Sequence, residues 1–356
     1  MTFDLECQYK KQMVEETINK IAKINVLASD TESSDEYNYR NKMVFPIAND
    51  GDKPVLGMFK SGTHNIVEID ECCICDNHIN IAMQIIKKWL IMQGFNGYNF
   101  KNNTGDIVYV VLRYRSNQLL VSLVLNKEIE GIDRLYNELK NNFDSVGVSK
   151  IISNHKSDIL DGKYTHLFGK DKIDINEFEI SYSVDNRGFL QVNNDIKCKM
   201  YSKVLSEIDK NANVIDAYSG AGLMSAIIAK KCQSVVAIEI NKSASSSAKE
   251  LFLSNNISNA TSICSDVALA LEDNIEKLDN LTIVLDPPRS GCDNKILQLL
   301  NNHNKINKII YISCNPSTLA RDLSILKESY IIDSVIPYNM FPKTKHVETL
   351  VVLKRK

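Results

Sequence analysis

The spacing of apolar residues changes along the chain, and each change predicts a different kind of structure. Over residues 8–24, apolar residues recur every three or four positions between charges, which predicts an amphipathic helix. From about 39 to 70 and from 106 to 126, short apolar runs alternate with turn residues and predict strands. A second helical period runs from Ala82 to Leu90 between them. This part of the chain is therefore predicted to be α+β.

After about residue 195 the pattern becomes regular, because helical segments separate short apolar runs. These runs are VIDAY (214–218), VVAIEI (235–240), TIVLDPP (282–288) and IIYIS (309–313). Strands that alternate with helices predict right-handed βαβ units and a parallel sheet covered on both faces. Upstream, the polar stretch SNHKSDILDGK (153–163) is typical of a connection.

Length and charge narrow the class of protein. A chain of 356 residues predicts two or three domains. Because the formal net charge is −2, the protein as a whole does not attract nucleic acid, and a nucleic-acid partner would have to bind to a local basic patch. The amino terminus has no apolar signal core, and no window approaches the roughly eighteen apolar residues of a membrane span. We therefore expect a cytoplasmic protein with no membrane partner, whose oligomeric state the sequence leaves open.

Nine cysteines in this compartment do not predict a disulfide framework. Only Cys72, Cys73 and Cys75 lie close together in sequence. A zinc or iron–sulfur site normally takes four ligands, and adjacent cysteines do not easily aim at one centre. We expect no metal and no iron–sulfur cluster here.

A glycine turn follows the first strand of the regular region. In AYSGAGLMS (217–225), Gly220 and Gly222 let the backbone approach a ligand closely, although a turn that serves packing alone is the alternative. The third glycine of the dinucleotide fingerprint would fall at Ser225. S-adenosylmethionine carries no phosphate and suits this turn better than a nicotinamide dinucleotide does, so an oxidoreductase is disfavoured.

Acids follow the next two strands. Glu239 ends the second strand about twenty residues after the glycines, where a carboxylate can hold ribose hydroxyls. Asp266, in ICSD (263–266), comes after a further predicted strand that follows Glu239, and it is a candidate contact for the adenine or an ordinary surface acid.

The remaining candidates lie in three short motifs. In DPPRSG (286–291), two prolines stiffen the loop after Asp286. Cys314 follows an apolar strand in YISCNP, where open α/β sheets collect ligands. It is either a catalytic nucleophile or a packed core thiol. Glu348 lies just before the last strand, in HVET.

Together these motifs resemble a known family. DPPRSG, then YISCNP with TLARDL, then FPKTKHVET, all behind YSGAG, are similar to the RNA uridine C5-methyltransferases that act on ribosomal RNA or on the transfer-RNA T loop. The match is most specific in the C-terminal half. Upstream, GFLQVN (188–193) and YRNKMVFP (39–46) resemble the family more loosely.

The resemblance implies an architecture. Residues 181–356 would form a Rossmann-like class I methyltransferase domain that uses S-adenosylmethionine. Residues 39–180 would form a preceding or inserted α+β domain that contacts RNA, after an N-terminal helix and connection over 1–38. A small β-barrel RNA-binding domain and a cysteine-rich cluster segment, present in many members, are not recognisable here. Cys72 is at best a remnant of the latter.

The resemblance also implies residue roles. Cys314 matches the nucleophile that adds to uracil C6, and Glu348 matches the base that removes the C5 proton. The methyl-donor contacts implied by the same matching are Gln191, Tyr218, Glu239 and Asp286.

RNA is the implied partner, with 23S ribosomal RNA as the preferred substrate and the transfer-RNA T loop as the alternative. The target base would be flipped out of its stack. Candidate RNA contacts are Tyr39, Arg40, Lys42, Arg113, Tyr114 and Arg115. A non-catalytic RNA-binding assembly factor stays open. Amine methylation is disfavoured because Arg289 stands where that chemistry uses an aromatic residue.

Overall fold

The chain divides into two compact units in the computed structural model, which describes residues 1–153 and 159–356. We call the first the C-terminal unit; it comprises Met1–Ser34, Glu177–Ser181 and Asp195–Lys356. The second, the central unit, comprises Asp35–Asn176 and Tyr182–Asn194. The domain limits that we expected after residues 38 and 180 stay predictions.

The elements up to the end of the central unit are α1 (Phe3–Ala22), β1 (Lys42–Asp50), β2 (Lys53–Phe59), β3 (Ile66–Glu68), α2 (Asn77–Gln93), β4 (Ile107–Arg115), β5 (Gln118–Leu125), α3 (Ile132–Lys140), β6 (Ser145–Ser153), β7 (Gly162–Gly169), β8 (Ile173–Glu177) and β9 (Ile180–Val184). Those that follow are α4 (Asn194–Glu207), β10 (Asn213–Ala217), α5 (Leu223–Ala229), β11 (Ser234–Glu239), α6 (Lys242–Ser254), β12 (Ala260–Cys264), α7 (Val267–Ile275), β13 (Leu281–Leu285), α8 (Asn294–Asn302), β14 (Ile306–Ser313), α9 (Pro316–Leu326), β15 (Tyr330–Tyr338) and β16 (Glu348–Arg355). Of the predicted connection at 153–163, residues 154–158 lie outside the described residues.

The central unit contains a mixed sheet of order β3-β2-β1-β4-β5-β6-β7. Its strands pair antiparallel except β5 and β6, which are parallel and are joined through α3. Helix α2 is capped at its N-terminus by Asp76, whose side chain accepts a hydrogen bond from the His78 N–H at 2.9 Å, and at its C-terminus by Gly94 in the left-handed conformation. The prediction of α+β structure is confirmed.

The C-terminal unit contains a sheet of order β12-β11-β10-β13-β14-β16-β15. The first five strands of this order, from β12 through β14, are parallel to one another. Strand β16 is antiparallel to both of its neighbours. The strand order reverses between β10 and β13, which is where open α/β sheets bind ligands, at the carboxyl ends of the strands. We call these strand ends the carboxyl edge. The Rossmann-like prediction is confirmed.

Three details differ from the sequence-based expectations. The first helix begins at Phe3 rather than at 8, because Thr2 caps the Leu5 N–H. The strand expected over 282–288 ends at Leu285, since the two prolines that follow have no N–H for the ladder. The sheet is not wholly parallel, because β15 and β16 form an antiparallel hairpin at one side.

Helix α1 belongs to the core of the C-terminal unit although it opens the chain. Val14, Ile18 and Ala22 are completely buried at successive turns and join one apolar cluster with α7, α8, α9 and the sheet. Burial of this apolar stripe, rather than intrinsic propensity, stabilises the helix.

Candidate active site

Cys314 and Glu348 come together through the pairing of two strands. Strand β14 ends at Ser313, β16 begins at Glu348, and Ser313 is paired with Thr349. Cys314 directly follows Ser313 and Glu348 directly precedes Thr349, so both residues lie at the same end of this strand pair, close enough for the charge of Glu348 to raise the pKa of Cys314. Cys314 is half-buried and Glu348 is only 7% exposed.

Asp286 reaches the same carboxyl edge from the neighbouring strand. Strand β13 is parallel to β14 with Leu285 paired to Tyr311, so Asp286 leaves the sheet beside the end of β14. Its side chain keeps surface exposure, yet the surrounding protein desolvates the carboxylate and raises its pKa to about 6.

The charged residues around Cys314 change the pKa of its thiol. Desolvation raises the pKa of Cys314, and the charges of Glu348 and Asp286 raise it further, while Arg289 opposes them. Burial, and then the charge of Asp286, raises the pKa of Glu348 to about 8, again against Arg289. Near neutral pH, Glu348 therefore holds its proton in most molecules. A thiolate on Cys314 then has no ionised carboxylate at Glu348 beside it.

The loop that carries Asp286 is anchored by α9. The completely buried Asp322 carboxylate accepts hydrogen bonds from the Cys292 N–H at 2.8 Å and from the Tyr311 hydroxyl at 2.6 Å. Arg321 forms a 2.7 Å ion pair with Asp322 and donates to the Ser290 carbonyl at 2.9 Å. The motif TLARDL thus supplies the side chains that hold the motif DPPRSG.

One further hydrogen bond and one glycine fix the same loop. Asn315 donates from Nδ2 to the Arg289 carbonyl at 3.2 Å, which ties the residue after Cys314 to the loop. Gly291 has φ +77°, and a Cβ there would lie 2.6 Å from Arg321 Nη2. Only glycine fits this close, left-handed position.

A buried ion pair on α1 holds the segment that leads into β16. Lys10 donates to Glu6 at 2.9 Å, to Asn339 Oδ1 at 2.6 Å and to the Phe341 carbonyl at 3.1 Å. Glu6 in turn accepts from the Lys343 N–H at 3.1 Å. Because both charges are buried and paired, the segment is fixed to the helix.

The glycine turn has one open and one packed position. At Gly220, with φ +54°, an added Cβ would meet nothing within 4 Å, so a ligand can approach the backbone there. At Gly222, with φ +79°, a Cβ would lie 2.6 Å from the Cβ of Ala248. Close packing on α6 therefore explains Gly222. Tyr218 just before the turn also has a positive φ, +66°.

Carboxylates surround this turn. Glu239 accepts hydrogen bonds from the Gly220 N–H at 2.9 Å and the Asn241 N–H at 2.7 Å. Asp216 is buried and accepts from the Ser225 hydroxyl, and desolvation raises its pKa to about 7. Asp266 is exposed and caps α7 by accepting from the Ala268 N–H at 2.9 Å.

The acids of the carboxyl edge fit a cationic ligand. S-adenosylmethionine carries a sulfonium and no phosphate, so these carboxylates attract it, whereas they would repel the pyrophosphate of a dinucleotide. The open backbone at Gly220 supplies the close approach that such a ligand needs. The residues present therefore fit the methyl donor.

Several of the predicted residues belong to the central unit. Gln191 belongs to the central unit, where its carbonyl accepts from Asn41 Nδ2 at 3.0 Å. The expectation that Arg113 contacts RNA is wrong for the structure described: its side chain is fully buried and donates to the Gly188 carbonyl at 2.6 Å. Tyr114 already stacks on His78, with ring centroids 4.0 Å apart.

Sequence reasoning missed the residues that position the site. Asp322 lies in the motif TLARDL, but the sequence predicts no role for this residue. The sequence does contain a signal for Lys10 and Glu6. These two charged residues continue the i, i+4 spacing of the buried stripe formed by Val14, Ile18 and Ala22. A charge in an apolar stripe predicts a buried partner elsewhere in the fold.

Comparison with known proteins identifies the family. The family described as tRNA (uracil-5-)-methyltransferase matches residues 2–356. An uncharacterized RNA methyltransferase of Fusobacterium nucleatum is 32% identical, over 100% of this chain and 79% of its own. An uncharacterized RNA methyltransferase of Listeria innocua is also 32% identical, and the match covers 100% of this chain and 80% of that protein.

A solved structure is similar over nearly the full length. The Pyrococcus abyssi tRNA (uracil-54, C5)-methyltransferase, in complex with S-adenosyl-L-homocysteine, superimposes with a TM-score of 0.81. It is 25% identical, and the match covers 99% of this chain and 84% of that one.

Fold, site and relatives define the class of protein: it is an S-adenosylmethionine-dependent RNA (uracil-C5) methyltransferase. The chain belongs to the tRNA (uracil-5-)-methyltransferase family. Within residues 1–153 and 159–356, no group of three or more His, Cys, Asp or Glu side chains is arranged to hold a metal ion. No helix in that part of the chain is long and apolar enough to cross a bilayer.

Proposed function

We propose that this enzyme methylates uridine C5 in structured RNA, with Cys314 as the covalent nucleophile and Glu348 as the general base. The observation that carries the proposal is the register of β14 and β16, which brings the two residues together at the carboxyl edge. A buried carboxylic acid costs stability, so its presence beside a thiol supports a functional role for the pair.

The proposed sequence of steps uses both residues. The Cys314 thiolate adds to uracil C6, and the electron pair of the C5–C6 double bond moves to C5. Bound S-adenosylmethionine supplies the electrophilic methyl group that C5 takes up. Glu348 then removes the C5 proton, and the C5–H electrons re-form the double bond as the Cys314–C6 bond breaks and releases the thiolate.

The electrostatics support this order. Glu348 must be neutral while the thiolate forms and must release that proton to solvent before it takes the C5 proton. Forming the bond to C6 removes the negative charge of Cys314 and with it one of the neighbours that disfavour a carboxylate. We therefore propose that adduct formation lowers the pKa of Glu348 and prepares it as a base.

We propose that the methyl donor lies along the carboxyl edge between the glycine turn and Asp286. Glu239 would hold the ribose hydroxyls, and Asp266 would meet the adenine. The other proposed contacts are Gln191, Tyr218, Gly220, Gly222 and Asp286. Open backbone at Gly220 and the cluster of carboxylates support the assignment. For Gly222, contact through the main chain is the only role that its packing on Ala248 leaves.

The RNA itself has two candidates. We expected 23S ribosomal RNA from the sequence, and this stays a prediction. One observation favours the transfer-RNA T loop: the similar Pyrococcus abyssi enzyme is a tRNA (uracil-54, C5)-methyltransferase. In either case we propose that the central unit contacts the RNA, with Tyr39, Arg40, Lys42 and Arg115 as candidate residues.

The chemistry is tested by replacing the nucleophile. Cys314→Ala should reduce 5-methyluridine formation by roughly a thousandfold or more, because the covalent step is lost. Binding of S-adenosylhomocysteine should persist. The exposed Cys73 offers a matched control, and Cys73→Ala should keep wild-type activity. If Cys314→Ala still makes 5-methyluridine at a comparable rate, the proposed nucleophile is wrong.

The substrate is tested by mapping 5-methyluridine by mass spectrometry in RNA from cells with and without the gene. Loss at a 23S position supports the sequence-based preference, and loss confined to the T loop replaces it with transfer RNA. Loss at neither site contradicts both.

A further inference from the structure

A pair of cysteines in the central unit has the geometry of a closed C-x-x-C turn. The Cys75 N–H donates to the Cys72 carbonyl at 3.0 Å, and Cys73 and Ile74 form the centre of the turn. The end residues of such a turn have Cα atoms within about 7 Å. A disulfide forms without backbone movement when this separation is about 4.4–6.8 Å.

The two thiols of this turn differ in exposure and are bonded to each other. Cys75 is completely buried, whereas Cys72 is half-buried and reachable from solvent. The hydrogen bond between their side chains lowers the pKa of Cys72 to about 6 and raises that of Cys75, and the charge of Arg40 further favours the Cys72 thiolate. A half-buried sulfur with a lowered pKa beside a completely buried sulfur with a raised pKa is the arrangement of a thiol–disulfide exchange pair.

The backbone around the pair is held rigidly. Asn80 bonds to Cys72 at both ends of its amide, accepting from the N–H at 2.9 Å and donating to the carbonyl at 3.2 Å. The Arg40 N–H donates to the Ile74 carbonyl at 2.9 Å. Helix α2 begins directly after the turn at its cap Asp76, and the positive end of its dipole favours a thiolate at the preceding residues. Little conformational freedom is left to lose when the ring closes.

From these contacts we propose that Cys72 and Cys75 form a thiol–disulfide exchange site, in which Cys72 is the attacking sulfur and Cys75 the resolving one. The oxidant is a small-molecule disulfide, of which oxidised glutathione is the test case. Cys72 attacks one sulfur of the oxidant, forms a mixed disulfide and releases one thiolate. Cys75 loses its proton, attacks Cys72 and releases the second thiolate. Two protein thiols are oxidised, and one small disulfide is reduced to two thiols.

The chain contains its own control. Cys73 lies between the two residues and is exposed, so it reacts with reagents from solvent but has no thiol partner placed by the turn. Cys73→Ser should leave the exchange intact. The site also lies outside the residues assigned to methyl transfer, so the proposal and the proposed function can fail independently.

The test is a redox titration of the full-length protein. Reduced wild type, Cys72→Ser, Cys73→Ser and Cys75→Ser are equilibrated across ratios of reduced to oxidised glutathione, quenched in acid, alkylated and mapped by mass spectrometry. Circular dichroism checks that each variant is folded. Wild type and Cys73→Ser should convert reversibly to a Cys72–Cys75 disulfide with the same midpoint. Cys75→Ser should instead accumulate one glutathione on Cys72, and Cys72→Ser should form neither product in the turn.

The titration of wild type decides the matter even if a variant does not fold. A dithiol that persists at every ratio overturns the proposal. So does a disulfide that includes Cys73, or one that forms only in urea.

Discussion

The Tyr311 hydroxyl donates a 2.6 Å hydrogen bond to the carboxylate of Asp322, and both groups are completely buried. Tyr311 lies on β14 three residues before the proposed nucleophile, and Asp322 lies on the helix that follows it. The same carboxylate holds the loop of Asp286 through the Cys292 N–H. One buried acid therefore ties together the strand, the helix and the loop that converge on the candidate site.

Substitutions at this contact should lower the free energy of unfolding in proportion to the number of hydrogen bonds and ion pairs that are lost. Tyr311→Phe removes one donor and should lower the free energy of unfolding by about 1–2 kcal/mol. Asp322→Asn also removes the charge that Arg321 pairs with, so a loss of about 3 kcal/mol or more is expected. Urea unfolding followed by circular dichroism measures both. Equal losses for the two variants would contradict a central role for Asp322.

Replacing the proposed base should stop the reaction after methyl transfer. In Glu348→Gln the C5 proton stays in place, so elimination of Cys314 is blocked and a covalent complex with methylated RNA should accumulate. Denaturing gel electrophoresis with labelled RNA detects it, and Cys314→Ala should give no such band. Free, methylated RNA released at the wild-type rate would exclude Glu348 as the base.

The charges around the thiol should move its pKa in opposite directions. Because ionised Glu348 raises the pKa of Cys314 and Arg289 lowers it, Glu348→Gln should shift the pH profile of Cys314 alkylation to lower pH. Arg289→Gln should shift the profile to higher pH. Peptide-resolved rates of iodoacetamide labelling measure the shift, and movement of both profiles in one direction would refute this electrostatic picture.

The two glycines of the turn should fail for different reasons. Both have positive φ, so either change to Ala costs about 1–2 kcal/mol of backbone strain. Gly222→Ala also overlaps Ala248 and should lose more stability. Gly220→Ala has open space and should chiefly weaken binding of S-adenosylhomocysteine, as measured by calorimetry. The prediction is wrong if Gly220→Ala is the less stable of the two.

Asp216 should make stability depend on pH. Its pKa is raised from 3.8 to about 7, so between these values the folded state holds a proton that the unfolded state has lost. The free energy of unfolding should therefore fall as pH rises from about 4 to 7 and level off above. In Asp216→Asn, the free energy of unfolding measured by urea titration should differ less between pH 5 and pH 8 than it does in the wild type. Ser225→Ala should extend the fall to higher pH, because the Ser225 hydroxyl holds the pKa down.

Most elements followed from local pattern. Apolar runs at the spacing of strands, separated by helical periods, were sufficient for the parallel part of the sheet, since burial of alternate or continuous apolar residues is what stabilises such elements. The antiparallel hairpin at the sheet side was not predicted. Whether a final strand joins parallel or antiparallel depends on how the chain returns, which no local pattern encodes.

By itself, the sequence determined the motifs, the family and the identity of the reactive groups, because these depend on residue types and their order. Only the tertiary structure decided which groups meet. Strand register brings Cys314 and Glu348 to the same end of a strand pair, burial raises the pKa of Glu348 to about 8, and packing buries the side chain of Arg113 completely. Each outcome depends on desolvation and on contacts between residues far apart in the chain, and these exist only once the chain has folded.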